Sequence, residues 1–276
     1  MFMEPVTSMQ NPLIKYLMKL KRRKFRESEG RFVIEGIRFV EEAIKSGWPV
    51  ENLIFTPGLS ESGRGDDLAS ASQSLGINRI IVNDKLMREL ASTETPQGVL
   101  ALCRMREWGM EDIFKDRPHT GFGHNKLVVV VDGVSDPGNL GTIIRSADAF
   151  GSHGALLTTG TVDLYNSKSL RATMGSVFHL PVVNNADPAT LYDRLAEKGI
   201  ALLVGVPEGG VPINRLNLKP PLALVVGSEA DGPSRELFSY PHEKATIPMP
   251  GQSESLNAAV AASVMLYEAF RQRDDN

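Results

Sequence analysis

A chain of 276 residues with a net charge of −3 is long enough for two domains of ordinary size, each with its own core. Its longest apolar runs, such as LVVVV at 127–131, fall far short of the roughly 18 residues that a membrane helix needs. With no basic-then-apolar leader pattern either, a cytoplasmic protein without a membrane partner is expected. The single cysteine, Cys103, excludes an intramolecular disulfide and a multi-thiolate zinc site, and five histidines scattered without ligand spacing give no reason to expect a metal.

The charge is unevenly spread: residues 1–108 carry 16 basic and 14 acidic side chains, against 14 and 19 in 109–276. The basic excess is concentrated in KYLMKLKRRKFR (15–26), where Lys15, Lys19, Lys21, Arg22, Arg23, Lys24 and Arg26 surround Tyr16 and Phe25. Such a run reads either as a solvated helix face or as a footprint for a phosphate backbone, since closely spaced cations displace counterions from nucleic acid. Residues 31–105 then alternate short apolar runs with helical stretches, a βαβα organisation in a small domain spanning 1–106. The segment 107–125 loses that periodicity, gathers Gly, Pro and polar residues, and is expected to be a linker.

From Lys126 to the end, fully apolar strands predict an α/β domain whose parallel sheet is buried on both faces. The expected strands are 127–131, 155–159, 178–183, 201–206, 222–226 and 245–248, with helices at 139–150, 167–174, 188–198, 233–238 and 255–271. Neither the G-x-G-x-x-G fingerprint nor a P-loop is present, so nucleotide phosphates are not the obvious ligand, and no G-x-S-x-G elbow points to a serine hydrolase.

Three stretches of this half resist a purely structural reading, and each follows an apolar strand, where ligands bind in open α/β sheets. In DGVSDPGNLGTIIRSADAFG (132–151), Pro137-Gly138 makes a turn, Asn139 is a candidate cap, and Gly141 leaves the helix open to close approach of another chain or a ligand. Arg145 has a bland alternative there, an i,i+3 ion pair with Asp148. In VVGSEADGPS (225–234), Gly227 permits close approach to the strand end, and Glu229 either places a carboxylate at the mouth of the sheet or favours the start of the next helix. In IPMPGQSESLNAA (247–259), Ser253 and Ser255 are natural caps, Asn257 adds a neutral hydrogen-bonding group, and the alanines suit either close backbone packing or an ordinary core helix.

Taken together, Asn139 with Arg145, the G-S-E-x-x-G of 227–232 and the S-L-N-x-[AS] of 255–259 resemble, in order and spacing, the signature motifs of the SpoU-type (TrmH-like) RNA methyltransferases of the knotted SPOUT superfamily. The amino-terminal part resembles the RNA substrate-binding domain often fused to them. The resemblance implies transfer of a methyl group from S-adenosyl-L-methionine to a ribose 2′-hydroxyl of structured RNA, with ribosomal RNA favoured over transfer RNA. It also implies a deep trefoil knot in 126–276, a rare exception to unthreaded topology, and a homodimer formed through the knotted domain. Carried onto this chain, it makes Gly227, Ile247, Met249 and Leu256 cofactor-contacting positions. Arg145 becomes the catalytic arginine, with Asn139, Glu229, Ser255 and Asn257 as its polar surround. A non-catalytic RNA-binding assembly factor is the alternative from another functional class.

Overall fold

The computed structural model describes residues 4–60, 63–116, 125–228 and 232–274. The chain divides into two compact units, one of Met1–Arg106 with Tyr165–Ser167 and one of Glu107–Leu164 with Lys168–Asn276.

The first unit contains α1 (Pro12–Lys19), α2 (Arg23–Glu29), β1 (Arg31–Glu35), α3 (Ile37–Lys45), β2 (Val50–Phe55), α4 (Pro57–Ser60), α5 (Gly63–Ser74), β3 (Asn78–Ile81), α6 (Asp84–Leu90) and β4 (Val99–Arg104). Its sheet has the order β1-β4-β2-β3. The last strand enters the middle and runs antiparallel to both neighbours, while β2 and β3 are parallel. The continuous apolar run of β4, buried from Val99 to Cys103, suits that central place.

The basic run is two helices rather than one. Asn11 caps α1 through its side chain, and Ile14 and Leu17 bury one face against Ile54, Leu86 and Leu100. The helix stops at Leu20, and Arg26, only 7% exposed, turns back so that its Nη1 donates to the carbonyls of Leu20 (2.8 Å) and Lys21 (2.9 Å). Those carbonyls have lost their intrahelical partners, and a buried guanidinium is a strong donor to them. Lys21 Nζ similarly donates to the Glu89 and Ala91 carbonyls at the end of α6, at 2.7 and 3.1 Å. Of the seven cations read as a candidate phosphate footprint, Arg26 is therefore buried and holds a helix end, while Lys21 is engaged at another helix end but stays exposed. Lys15, Lys19, Arg22, Arg23 and Lys24 stay exposed, with Arg23 paired to Glu27.

The second unit contains α7 (Met110–Phe114), β5 (Leu127–Asp132), α8 (Pro137–Ala149), β6 (Gly154–Thr158), α9 (Ser167–Thr173), β7 (Val182–Ala186), α10 (Pro188–Glu197), β8 (Ala201–Gly205), β9 (Val211–Pro212), β10 (Leu222–Gly227), β11 (His242–Thr246) and α11 (Ala258–Arg273). Among the described residues its sheet has the order β7-β6-β5-β10-β8-β11-β9, with every pairing parallel. The central β5 and β10 are buried at every position, as their unbroken apolar sequence predicts.

Several boundaries differ from expectation, each for a local reason. The stretch 178–183 becomes strand only at Val182, because Gly175 adopts φ 103° and starts a 3-10 turn over Ser176–Phe178 that buries Val177 and Phe178. The helix expected at 233–238 is reduced to a 3-10 turn, Leu237–Ser239, ahead of Tyr240-Pro241, a dipeptide that disfavours helix at its first residue. Part of the expected linker is folded: Ile113 of α7 is fully buried in a core shared with Val128, Val130 and Leu156. The rest, 117–124, lies outside the described residues.

The end of α11 is held by Arg273, whose guanidinium donates from Nε to Leu218 O (2.7 Å), from Nη1 to Asn125 O (2.9 Å) and from Nη2 to Pro220 O (2.6 Å). Burial pulls its pKa down to about 10, which still leaves it charged at neutral pH.

Candidate active site

Because β10, β8 and β11 are parallel neighbours, they deliver their carboxyl ends to one edge of the sheet, where open α/β folds bind ligands. A cavity of about 750 Å³ opens there, walled by the ends of β8 and β10, the loop after β11, and the approach and first turns of α11. Gly227, Ile247, Met249, Ser255, Leu256 and Asn257 all line it, so six of the sequence-predicted residues converge on one space. Sequence reasoning missed Val206, Glu208, Phe238 and Met265, which also line it. The strand order signals the first two, since β8 sits between β10 and β11.

Gly227 has a different reason from the expected one. A Cβ built on it would lie 2.0 Å from Pro233 N and 2.1 Å from Gly232 C, so what approaches this strand end is the chain's own backbone. That turn is closed by Ser228 and Gly232, whose backbone groups exchange hydrogen bonds of 3.0 and 3.1 Å. Gly141 is corrected likewise. Its missing Cβ would meet Ala172 Cβ and Ser169 O at 2.4 Å each, so α9, not a ligand, fills the space.

The buried Asp132, also missed, ends β5 and braces the same turn. One carboxylate oxygen accepts from Thr158 Oγ1 at 2.8 Å, and the other from Ser234 N at 2.7 Å. An Asp closing five apolar residues was its only sequence signal.

The caps also differ from expectation. Asp136, not Asn139, caps α8 by accepting from Asn139 N at 2.7 Å, and Asn257, not Ser253 or Ser255, caps α11 by accepting from Ala259 N (3.0 Å) and Val260 N (3.2 Å). The Asn139 side chain is left to bridge motifs, its Oδ1 accepting from Asn257 Nδ2 at 2.9 Å across 118 residues of sequence. Two turns on, Ser146 and Ser263 hydroxyls share a hydrogen bond of 2.7 Å along the same α8–α11 seam. In a double-mutant cycle, Asn139→Ala and Asn257→Ala should show a coupling of about 0.5–1 kcal/mol, with Asn257→Ala costing about 1 kcal/mol more through loss of the cap. Urea denaturation of the four proteins measures both.

Arg145 precedes Ser146 and so lies about 100° round α8 from the seam. It is exposed, does not line the cavity, and makes no ion pair with Asp148 or hydrogen bond among the described residues. Glu229 lies outside the described residues. No group of three or more His, Cys, Asp or Glu among the described residues is placed to hold a metal ion, and no helix of theirs is long and apolar enough to cross a membrane.

Residues 126–267, which contain the cavity, all of α8 and most of α11, match the SpoU rRNA Methylase family model. The chain belongs to the SpoU rRNA methylase family. In this SpoU protein, residues 11–101 match the MRM3-like substrate binding domain. The chain is 34% identical to a 23S rRNA (guanosine(2553)-2′-O)-methyltransferase of Bacillus subtilis, covering 96% of this chain and 98% of that one. It is 33% identical to a 23S rRNA (uridine(2479)-2′-O)-methyltransferase of Streptomyces viridochromogenes, over 92% and 87% respectively. The crystal structure of an AdoMet-bound rRNA methyltransferase from Sinorhizobium meliloti superposes with a TM-score of 0.82 at 30% identity, covering 97% of both chains.

Proposed function

We propose that this protein transfers a methyl group from S-adenosylmethionine to a ribose 2′-hydroxyl of 23S ribosomal RNA in the cytoplasm, with residues 126–276 as the catalytic domain and 1–106 as the RNA-holding one. The observation that carries the reading is the convergence of Gly227, Ile247, Met249, Ser255, Leu256 and Asn257 on one cavity, tied through Asn257 to the helix that bears Arg145.

The cavity suits this cofactor. Its volume lies within the roughly 300–1,000 Å³ of small-molecule sites. Phe238, Ile247, Met249 and Leu256 offer apolar surface, while Ser228, Ser255 and Asn257 offer neutral polar groups. No cationic side chain among the described residues lines it, which disfavours a polyphosphate. Bound there, S-adenosylmethionine supplies a methyl group already activated by its sulfonium.

What remains for the chain is alignment. A guanidinium does not readily give up a proton near neutral pH, so Arg145 acts as a fork that grips the phosphate beside the target ribose and orients the hydroxyl. The Asn139–Asn257 bond ties the first turn of α8 to a residue of the cavity wall and so sets where that fork stands. Water, phosphate or Glu229 takes the hydroxyl proton.

We further infer that the segment after β11 is threaded as a deep trefoil knot. In support, small residues at 258–262 let α11 pack closely on α8 and β10, and Gln272 and Arg273 fasten its end to the chain entering β10. A homodimer is supported by a stripe of Leu256, Val260, Val264 and Tyr267, between 37% and 51% exposed, at helical spacing along and just before α11.

For the RNA, the matched substrate-binding domain and the exposed Lys15, Lys19, Arg22, Arg23 and Lys24 favour a structured ribosomal element. Reversing the charges of Arg22 and Arg23 should weaken RNA binding and flatten its salt dependence by about one to two units of slope while cofactor affinity stays constant. An unchanged slope would return the run to a solvated helix face. The test of the function as a whole is a ribose-methylation map of ribosomal and transfer RNA from cells with and without the gene. A single lost site in 23S RNA is expected, and no lost site in either RNA would sink the proposal in favour of a non-catalytic assembly factor.

A further inference from the structure

The geometry points to Glu208 as the residue that senses the charge on the methyl donor's sulfur, so that the protein holds S-adenosylmethionine in preference to its product, S-adenosylhomocysteine. This rests on reading the cavity as the cofactor site.

Among the described residues that line the cavity, Glu208 alone carries an ionisable side chain. It is exposed and makes no hydrogen bond or ion pair among the described residues, so its carboxylate is available to a ligand. The loop that carries it is pinned at both ends to β11: Val206 N donates to Ala245 O at 3.0 Å, and Gly210 O accepts from Thr246 Oγ1 at 3.3 Å. The next residues, Val211 and Pro212, pair with β11 as β9. Only three residues, 207–209, lie between these two anchors, which keeps the Glu208 backbone beside the cavity. Lys244 does not line the cavity; its ammonium sits 5.1 Å from the centroid of the Phe238 ring.

Donor and product share adenine, ribose, ammonium and carboxylate, and differ in the methyl group and the sulfur's positive charge. A carboxylate reading the ribose hydroxyls or the ammonium would affect both ligands alike. One whose field reaches the sulfur would favour the donor and, once the charge has gone, release the product more readily. Two unit charges several ångströms apart at a partly wet protein site interact strongly enough to change affinity about tenfold, and salt weakens the effect.

The experiment is calorimetric titration of S-adenosylmethionine and S-adenosylhomocysteine into the full-length wild-type protein and Glu208→Gln, at low and high NaCl. The amide keeps the side chain's shape and removes only its charge, and an unchanged denaturation midpoint would confirm intact folding. The expected result is a roughly tenfold weaker affinity of the variant for the donor, at most twofold for the product, and a smaller salt dependence for the donor than in wild type. Equal losses for both ligands, or no loss for either, would overturn the proposal. Wild-type protein that binds neither ligand would overturn the methyl-transfer reading itself.

Discussion

Replacing Arg145 by alanine is expected to lower kcat by about two to three orders of magnitude, the range seen when one preorganised charge-stabilising group is removed from an active site. The affinity for S-adenosylmethionine should not change, because Arg145 does not line the cavity. Stability should change by less than about 0.5 kcal/mol, since the side chain is exposed and has no hydrogen bond or ion pair among the described residues. Single-turnover kinetics with saturating RNA, paired with calorimetry of cofactor binding, separates these effects. Arg145→Lys keeps the charge but loses the planar fork, and should remain at least about tenfold slower than wild type. Near-normal turnover by the lysine variant would remove the bidentate role.

Gly227→Ala should be the most damaging single change in the cofactor wall. The added methyl would sit 2.0 Å from Pro233 N, 2.1 Å from Gly232 C and 2.5 Å from Pro233 Cδ, distances that real Cβ atoms do not show. These atoms belong to backbone and a proline ring rather than to a flexible side chain. The turn has little room to retreat, because Ser234 N is bound to the buried carboxylate of Asp132 and Ser228 is paired with Gly232. The expected cost is about 1–3 kcal/mol of folding stability from overpacking, with cofactor affinity reduced by at least about a hundredfold as the end of β10 shifts. Chemical denaturation and calorimetric titration read the two effects independently. Normal cofactor affinity in a folded variant would mean that the turn can move without consequence, or that the cofactor binds elsewhere.

The amino-acid sequence alone determined the elements whose signals are local. Unbroken apolar runs announced β5 and β10 as strands buried on both faces, and loops rich in Gly, Pro, Ser and Asn marked where the chain would leave the sheet. The family resemblance carried by the motifs of 132–151, 225–234 and 247–259 likewise pointed to Gly227, Ile247, Met249, Leu256, Ser255 and Asn257. Only the tertiary structure decided which atoms these residues meet. It assigned the space at Gly141 to α9 and that at Gly227 to the Gly232–Pro233 backbone, where a ligand or another chain had been expected. It paired Asn139 with Asn257, placed Glu208 in the same cavity, turned Arg26 inward to one helix end and engaged the exposed Lys21 at another. It also put the last strand of the first unit in the middle of its sheet. The physical reason is range: helix and strand periodicity and capping act over a few residues, whereas strand order and side-chain partners are set by pairing between segments that the sequence holds up to 148 residues apart.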